Sequence, residues 1–440
     1  MKILPYQLET TNDLLTSRAG LLTIAELMNS LGLADRIDSC FPQPGSNRGF
    51  KPSVFMETLI LMQHEGGFHL DDVRYIQEDV ALQTVLGLAQ IPQAASLGNW
   101  LRRMGKHPNW NAALTQVNQT VLQSTLHKRK AITLDIDATE IIASKAEARW
   151  TYKSNRGYMP MVGHIGETGQ IVACDFREGN TPPAKDNLKF IRQCQESLPA
   201  GCYVQKLRID AAGYQTDIIK HCDQQHIDYA IRAKMSAYLK EVILDAPENA
   251  WHPLLNHKGD ATPGHSTYRT LHFIGDYEQA FTVVVQRKEI KGQVDLDLLQ
   301  SDEEICTQGF VYRAIATNRE TMTDSEIIHW YNQRAEDSEN RIKELKLDFG
   351  GDTLPCSDFG ANAVYFSICA LAYNLFALMR QLLPEGLETS RAKTIRWRLY
   401  AMAAKVVKTG RRVFVKVQAQ HQALLNLVLS TMRKFEPPPI

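Results

Sequence analysis

The spacing of apolar residues changes along the chain, and each change predicts a different kind of structure. Up to about residue 125, apolar residues recur every three to four positions, as in LLTIAELMNSLGLADRIDSCF, which is typical of amphipathic helices. From about residue 130 the period becomes two, and Ile132, Leu134 and Ile136 share one face of a predicted strand. The pattern predicts a helical N-terminal domain over residues 1–125, followed by an α/β domain.

The next hundred residues predict a mixed sheet with helices. Two strands, YMPMVGHI and QIVACDF, follow the first one, and a helix begins near Asn187. The segments CYVQKLRID and HIDYAIRA then predict two more strands, separated by the helix YQTDIIKHC. The order β-β-β-α-β-α-β over residues 126–232 is typical of an α/β domain whose mixed sheet is flanked by helices.

The second half of the chain returns to helices after a β-rich interruption. Residues 233–320 contain three strongly alternating segments separated by turn residues, and we interpret them as a β-rich insertion, with Trp251 and His252 in a loop-like part. Residues 321–385 predict a helix that begins near Thr323 and then an apolar helix buried in a soluble core. Residues 386–440 predict a basic, helical C-terminal region.

Composition excludes several classes of protein. Lys plus Arg and Asp plus Glu both number 49, so the net charge does not indicate a nucleic-acid partner. The eight cysteines are scattered without a CxxC pair, and no signal-peptide pattern or membrane-length apolar run is present. We therefore expect a cytoplasmic protein with reduced thiols and no membrane partner. No glycine-rich nucleotide-binding loop is readable.

Charge becomes informative only locally. The N-terminal helices end in a basic one with Arg102, Arg103 and Lys106, so we interpret residues 1–125 as a DNA-binding domain, with an ordinary helical bundle as the alternative. Residues 391–416 hold nine Lys and Arg and no acid, which indicates either an anionic partner or a solvated helical face. In KAEARWTYKSNRGYMP, basic residues alternate with Trp150, Tyr152 and Tyr158, a composition that suits contact with a nucleic-acid strand.

Carboxylates follow two predicted strands. Asp135 and Asp137 lie about 7 Å apart on one strand face, and Asp210 ends a second strand just before a helix. Carboxyl ends of strands are where α/β sheets place their sites, so we expect these acids in a functional cleft. The alternative for the first pair is an exposed edge strand.

The segment WYNQRAEDSENRIKELK predicts a helix with a charged face. Projected at about 100° per residue, Tyr331, Arg334, Glu339 and Lys346 border the face that packs on a core. The alternative is a surface helix with ordinary pairs such as Glu339 with Lys343. Three carboxylates without a nearby His or Cys set suit Mg²⁺ or Mn²⁺, and two such ions can drive phosphodiester displacement.

These motifs together resemble the DDE transposases of bacterial insertion sequences. The first acid lies in the D-x-T of Asp137 to Thr139, and the second is Asp210 in RIDAAGY. The third is Glu339, in a Y-x₂-R-x₃-E-x₆-K signature in which this chain has four residues, not three, between Arg334 and Glu339. The extra residue turns Arg334 by about 100° relative to Glu339. The resemblance covers residues 20–420.

The resemblance implies an RNase H-like core and a catalytic triad of Asp137, Asp210 and Glu339 that binds Mg²⁺ or Mn²⁺, with two ions. Asp135 is a second possible metal ligand or a hydrogen-bond partner. Tyr331, Arg334 and Lys346 would contact DNA, and Trp251 would hold a flipped base.

The resemblance also implies an activity and partners. The enzyme would act as a homodimer, bind terminal inverted repeats, cut DNA and join its end to target DNA. The alternatives are a nuclease of the same core without strand transfer, and a domesticated DNA-binding protein.

Overall fold

The computed structural model describes residues 4–46, 48–88, 90–290, 302–307 and 309–436, and of residues 335–337 it describes the backbone. The chain forms two compact units, one of residues 1–124 with 344–440 and one of residues 125–343. We call them the terminal unit and the central unit.

The N-terminal part of the terminal unit is mainly helical, as its apolar periodicity predicts. Its elements are β1 (Leu14–Thr16), α1 (Leu22–Ser30), α2 (Leu33–Cys40), α3 (Pro52–Glu65), α4 (Arg74–Gln77), α5 (Val80–Leu86), α6 (Ala94–Gly105) and α7 (Trp110–Leu126). Helix α3 ends where Gly66 adopts a left-handed conformation with φ of 107°, which costs a glycine little.

The central unit begins within α7 and alternates strands with helices. Its elements are β2 (Ala131–Ala138), β3 (Ile141–Ile142), β4 (Arg149–Trp150), β5 (Arg156–Tyr158), β6 (Met161–Ile165), β7 (Ile171–Asp175), α8 (Asn187–Ser197), β8 (Tyr203–Ile209), α9 (Thr216–Gln224), β9 (Asp228–Arg232), α10 (Ala237–Leu244), β10 (His252–Leu255), β11 (Ala261–Ile274), β12 (Tyr277–Glu289), β13 (Glu304–Thr307), β14 (Phe310–Thr317) and α11 (Asp324–Asp348).

The rest of the terminal unit follows α11, whose last turn belongs to that unit. Its elements are α12 (Phe359–Leu382), α13 (Ala392–Ile395) with a π-helical continuation over Arg396–Tyr400, β15 (Ala404–Thr409), β16 (Arg412–Val417) and α14 (Ala419–Lys434). Helix α12 is long and apolar enough to cross a membrane, but 94% of its most apolar window is buried and it packs on α3 and α6, as a core helix does.

A large mixed sheet forms the centre of the central unit. Its strand order is β10-β11-β12-β14-β9-β8-β2-β6-β7. Strands β2, β8 and β9 are parallel, whereas β6 pairs antiparallel with both β2 and β7. The predicted class, a mixed sheet flanked by helices, is confirmed. Because β2 and β8 run in the same direction, their carboxyl ends lie at one edge of the sheet.

The structure differs from the predicted organisation in three respects. The segment 233–320 is rich in β-structure, but it is not separate from the sheet, because β14 pairs with β9 and its strands continue the same sheet. His252 opens β10 rather than lying in a loop. The N-terminal domain, the end of the 321–385 segment and the C-terminal region, predicted as separate, share the terminal unit.

The C-terminal region, predicted to be helical, contains a pair of strands. Strands β15 and β16 form an antiparallel hairpin, and β1 pairs with β15 at its edge. Alternation in KVVKTGRRVFVKV explains the hairpin, because β-branched residues at every second position pack one face on α14. Gly410, with φ of 59°, makes the tight turn between the strands.

Candidate active site

Two carboxylates meet at the edge where β2 and β8 end. The parallel register pairs Asp135 with Arg208 and Ile136 with Ile209, so Asp137 and Asp210 follow next on neighbouring strands. Asp210 caps the turn that follows β8, and one carboxylate oxygen accepts a hydrogen bond of 3.0 Å from the Ala212 N–H. Its other oxygen accepts no hydrogen bond from the part of the chain that the structure describes.

Asp137 lies in an environment that penalises its charge. Burial raises the pKa of Asp137 to about 6, with a further rise from the charge of Asp210, while the Arg334 guanidinium opposes the rise. The nearest Arg334 nitrogen is 3.8 Å from Asp137 Oδ2. Two acids on neighbouring strand ends favour a cation between them, because the second negative charge destabilises the first.

Asp135 has a different partner and a different role. Its side chain is completely buried, and Arg208 donates to both carboxylate oxygens at 2.6 and 2.7 Å. Such a two-pronged pair occupies both oxygens. Burial raises the pKa of Asp135, and the Arg208 fork counters it. Asp135 is therefore a positioning partner in this structure, since its buried carboxylate binds the Arg208 fork.

Helix α11 is held against the sheet by three arginines. Arg208 donates to the carbonyl of Trp330 at 2.6 Å, and Arg334 donates to the carbonyl of Ile136 at 3.2 Å. Arg341 donates to the carbonyls of Ile165 and Gly166 at 3.1 and 2.8 Å. Arg334 points into the acidic cleft, although the extra residue in the signature precedes Glu339.

Because of the same extra residue, Glu339 does not share the face of α11 that Arg334 presents to the sheet. With Arg334 held on β2, the residue four positions on, Ser338, faces the sheet, and its hydroxyl lies 3.0 Å from His164 Nε2. Residue 339 follows about 140° from Arg334 around the helix, and its side chain is exposed. The predicted triad is thus not assembled here, and no three acids, histidines or cysteines converge on a metal-sized site among the described residues.

Tyr331 and Lys346 lie at other places on α11. Tyr331 is 6% exposed and packs in an apolar cluster with Val284, Ile315 and Ile327, so its phenol is buried rather than presented to DNA. Burial raises its pKa, and Arg334 opposes that rise. Lys346 is half-buried in the last turns of the helix, within the terminal unit.

Trp251, the predicted partner of a flipped base, is buried in this structure. The ring is 9% exposed and packs against Tyr268 and Tyr312, with centroid distances of 5.4 and 5.7 Å. The guanidinium carbon of Arg287 lies 4.3 Å from the ring centroid. One face of the ring is therefore already occupied by a cation–π contact inside the central unit.

Three residues of the site, Arg208, His164 and Arg341, are not among the predicted ones. The sequence does contain a signal for Arg208. In LDID and LRID, Asp135 and Arg208 each lie two positions before a catalytic candidate, Asp137 or Asp210. The order of elements predicts that these two strands are neighbours. Burial and the nearby arginines lower the pKa of His164 well below its usual value. No comparable signal marks His164 or Arg341, whose roles depend on the packing of α11.

The donor set fits a divalent cation in part. Asp137 and Asp210 are hard oxygen ligands at one edge of the sheet, and the raised pKa of Asp137 reflects a charge that a cation would relieve. Arg334 already places one positive charge there. Among the described residues, no third carboxylate joins Asp137 and Asp210 to complete a metal site.

Comparison with known proteins identifies the family. The profile described as Transposase DDE domain group 1 matches residues 5–437. No curated protein matches the chain. Among solved structures, a cryo-EM structure of the piggyBac transposase synaptic complex with hairpin DNA is similar, at 10% identity and a TM-score of 0.44 over 97% of this chain and 84% of that chain. Because the family match spans nearly the whole chain, this protein belongs to the DDE transposase family.

Proposed function

We propose that this chain is the transposase of an insertion sequence, which cuts DNA at terminal inverted repeats and joins the released end to target DNA. The observation that carries the proposal is the pairing of Asp137 and Asp210 at the carboxyl ends of adjacent parallel strands, with the pKa of Asp137 raised. Paired carboxylates at such an edge suit divalent-metal phosphodiester chemistry.

We propose further that the core is RNase H-like. The segment β7-β6-β2-β8-β9 supports this, because three antiparallel strands in sequence order are followed by two parallel ones reached through α8 and α9. The fold of the remaining strands, β10 to β14, is an extension of that sheet.

In this proposal the bound ions are Mg²⁺ or Mn²⁺, two in number, held by Asp137, Asp210 and a third carboxylate. They would activate the attacking oxygen and stabilise the leaving one. The side chains of this protein contribute in other ways. Arg334 lies beside Asp137 and can neutralise a phosphate there, and Asp135 with Arg208 fixes the neighbouring strand ends. Burial keeps bulk water from screening these charges.

Glu339 remains the proposed third ligand, on the strength of the family signature. Its side chain is exposed here, so ligation requires the segment after Arg334 to turn by about 100°, one residue of an α-helix. Glu336 and Asp337 are the other acids of that segment in the sequence, and a set of single variants distinguishes the three.

The basic hairpin β15–β16 is the proposed contact for duplex DNA. Lys405 and Lys416 face each other across the strands, and Arg412 and Phe414 lie on the same face. Lys405 already pairs with the Asp13 carboxylate at 2.8 Å, so the charge open to DNA on this face is that of Arg412 and Lys416. Among the described residues, Arg412 and Lys416 have no ion-pair partner. Tyr331 and Lys346 are retained as contacts to the terminal phosphates, with Tyr331 reached only after a local rearrangement.

The proposed partners are inverted-repeat DNA, target DNA and a second copy of the chain in a synaptic complex. The proposed location is the cytoplasm, at the nucleoid when DNA is bound, with no membrane partner. The second candidate function is a nuclease without strand transfer, which the same carboxylate pair would support.

The deciding experiment is strand transfer in vitro. A duplex with the inverted repeat that flanks the gene, ending in a 3′-hydroxyl, is mixed with plasmid and Mg²⁺. We expect joined products from the wild type and a loss of about a thousand-fold or more with Asp210→Asn. Asp276→Asn, an exposed acid in the same unit, is the matched control and should join normally. Cleavage without joining would favour the nuclease, and joining by Asp210→Asn would refute the site.

A further inference from the structure

A small sheet projects from the strand that carries Asp137. Strands β3, β5 and β4 pair in that order, and all three lie between the end of β2 and the start of β6. Ala138 pairs with Met161 at the base of this excursion, and the Thr139 N–H donates to the Pro160 carbonyl at 2.9 Å. The β3–β5–β4 sheet therefore begins beside the acidic pair, within the central unit.

This sheet presents two large aromatic side chains to solvent. Trp150 is 66% exposed and Tyr152 is 63% exposed. Among the described residues, Trp150 meets no other ring, and the Lys153 ammonium lies over the Tyr152 ring, 5.6 Å from its centroid. Single exposed aromatics are ordinary, but two within three residues beside a candidate active site form a surface that can bind a flat ligand.

Cations surround the two rings. Arg149, Lys153 and Arg156 are exposed, and between residues 141 and 158 the sequence has four Lys and Arg against one acid, Glu147. A positively charged surface with exposed aromatic rings is the composition by which proteins hold single-stranded nucleic acid, since cations bind phosphates and rings stack on bases.

Hydrogen bonds hold the segment that carries the rings. Glu140 accepts hydrogen bonds from the Thr151 hydroxyl and from the Asn155 amide, the latter at 3.3 Å. The Arg156 guanidinium donates to the carbonyls of Lys145 and Ala148, both at 3.2 Å. Rings held in place before binding lose little conformational entropy when a ligand stacks on them.

A close backbone approach supports the sheet from beneath. A Cβ on Gly179 would lie 2.4 Å from the carbonyl oxygens of Arg149 and Gly157, so only glycine fits at this crossing. The neighbouring residue Glu178 bridges to Tyr158 of β5. The strand that carries Trp150 is thus fixed on the chain that leaves β7.

The rings lie within the length of a short stretch of DNA from the acids. Trp150 pairs with Arg156, six residues before Val162, which is the partner of Asp137. At about 3.3 Å per residue this separation is at most roughly 20 Å. That length corresponds to about six nucleotides of one strand, at about 3.4 Å each.

We propose that the β3–β5–β4 sheet binds the unpaired nucleotides of the DNA end on which Asp137 and Asp210 act. Trp150 and Tyr152 stack on bases, and Arg149 and Lys153 hold the adjoining phosphates. The proposal rests on the proposed function for the identity of the DNA. It assigns the base-stacking role that the buried Trp251 cannot fill. Unpaired nucleotides are the ligand because a paired base has both faces covered by its neighbours.

The test measures stacking directly and needs no catalysis. A short oligothymidylate with one 2-aminopurine is titrated with the full-length protein in EDTA, and quenching of the base reports stacking. We expect Trp150→Ala to weaken binding about 5- to 100-fold and to remove most quenching. Trp150→Phe should restore most of the affinity. Tyr203→Ala is the matched control, because Tyr203 is 53% exposed and lies at the end of β8 opposite to Asp210. This variant should bind the oligonucleotide normally.

Further probes locate the strand and distinguish stacking from a phosphate contact or a protein interface. Duplexes with a 5′ or a 3′ single-stranded flank identify which strand stacks. If neither duplex shows quenching, the proposal is overturned. If Trp150→Ala loses as much affinity for blunt duplex as for the single strand, the residue makes a phosphate contact. If the variant protein changes its oligomeric state, the residue belongs to a protein interface. Either result overturns the proposal. Stacking without strand transfer by the wild type would refute the proposed function alone, and transfer without stacking would refute this inference alone.

Discussion

Asp135 and Asp137 lie two positions apart on one strand face and have opposite environments. Both oxygens of Asp135 bind the buried Arg208, whereas Asp137 lies beside Asp210 and only 3.8 Å from one arginine nitrogen. Alternation alone predicts that they share a face, and it cannot separate their roles, because the difference comes from the partner strand.

Replacing Asp135 should damage the fold. Asp135→Asn leaves the buried Arg208 without its counter-charge, so we expect a loss of about 3–5 kcal/mol in the free energy of unfolding. Denaturant unfolding measures this loss. The double variant Asp135→Asn with Arg208→Met is the control, and it should recover part of the stability because no unpaired charge stays buried. A neutral effect of the single variant would contradict the assigned pair.

Replacing Asp137 should have the opposite effect on stability, and the effect depends on pH. The pKa of Asp137 is about 6 in the folded protein and near 3.8 when unfolded. The folded state therefore binds more protons between about pH 4 and 6, and the free energy of unfolding falls as pH rises through that window. We expect Asp137→Asn to gain about 1–2 kcal/mol at pH 7 and little at pH 4. Urea unfolding at both pH values checks this, and an equal effect at the two would argue against it.

At the scale of elements, α11 decides whether a catalytic triad can form. Three arginine contacts set its rotation and leave Ser338, not Glu339, facing β6. We expect Glu339→Gln to abolish strand transfer, with a loss of about a thousand-fold, while Glu336→Gln and Asp337→Asn keep activity near that of the wild type. Mg²⁺ should raise the melting temperature of the wild type but not of Glu339→Gln. If Glu336 or Asp337 proves essential instead, the third ligand is misassigned.

The β15–β16 hairpin should make the binding of DNA sensitive to salt. Replacing Arg411, Arg412 and Lys416 by Gln removes three exposed cations. We expect lower affinity for duplex of any sequence, and a slope of log affinity against log salt that is shallower by about 2–3. Fluorescence anisotropy at several salt concentrations measures both. Lys51→Gln, exposed in the same unit, is the control and should leave the slope unchanged.

The elements differ in how far local sequence patterns predict them. The order of strands and helices along the core, the placement of Asp137 and Asp210 at strand ends and the family follow from local patterns, and the family is confirmed. The β15–β16 hairpin was predicted as part of a basic helix, because the prediction gave most weight to the cations. The alternating valines and the turn at Gly410 favour strands instead. The exposure of Glu339 follows from the rotation of α11, which contacts such as that of Arg334 with the Ile136 carbonyl of β2 set and no local pattern encodes.

At the scale of the whole molecule, the two ends of the chain build one unit. Helix α14 packs on α1, where Leu425 and Leu429 contact Leu22. Deleting residues 404–440 should therefore lower the stability of the N-terminal helices, visible as faster hydrogen exchange in α1. Deleting residues 1–10, which contain no described helix or strand, is the control and should leave that exchange unchanged. Unchanged protection in the long deletion would refute the shared core.

The pairing of β1 with β15 joins residues almost four hundred positions apart, and this has a consequence for synthesis on the ribosome. At about 5–20 residues per second, the roughly 220 residues between the two parts of the terminal unit take about 10–40 seconds to be made. The N-terminal helices must stay soluble during that time without their final partners. The central unit, whose residues are contiguous, can complete its sheet first. A chain released early would thus carry the acidic pair but leave the helices of the terminal unit exposed to chaperones and proteases.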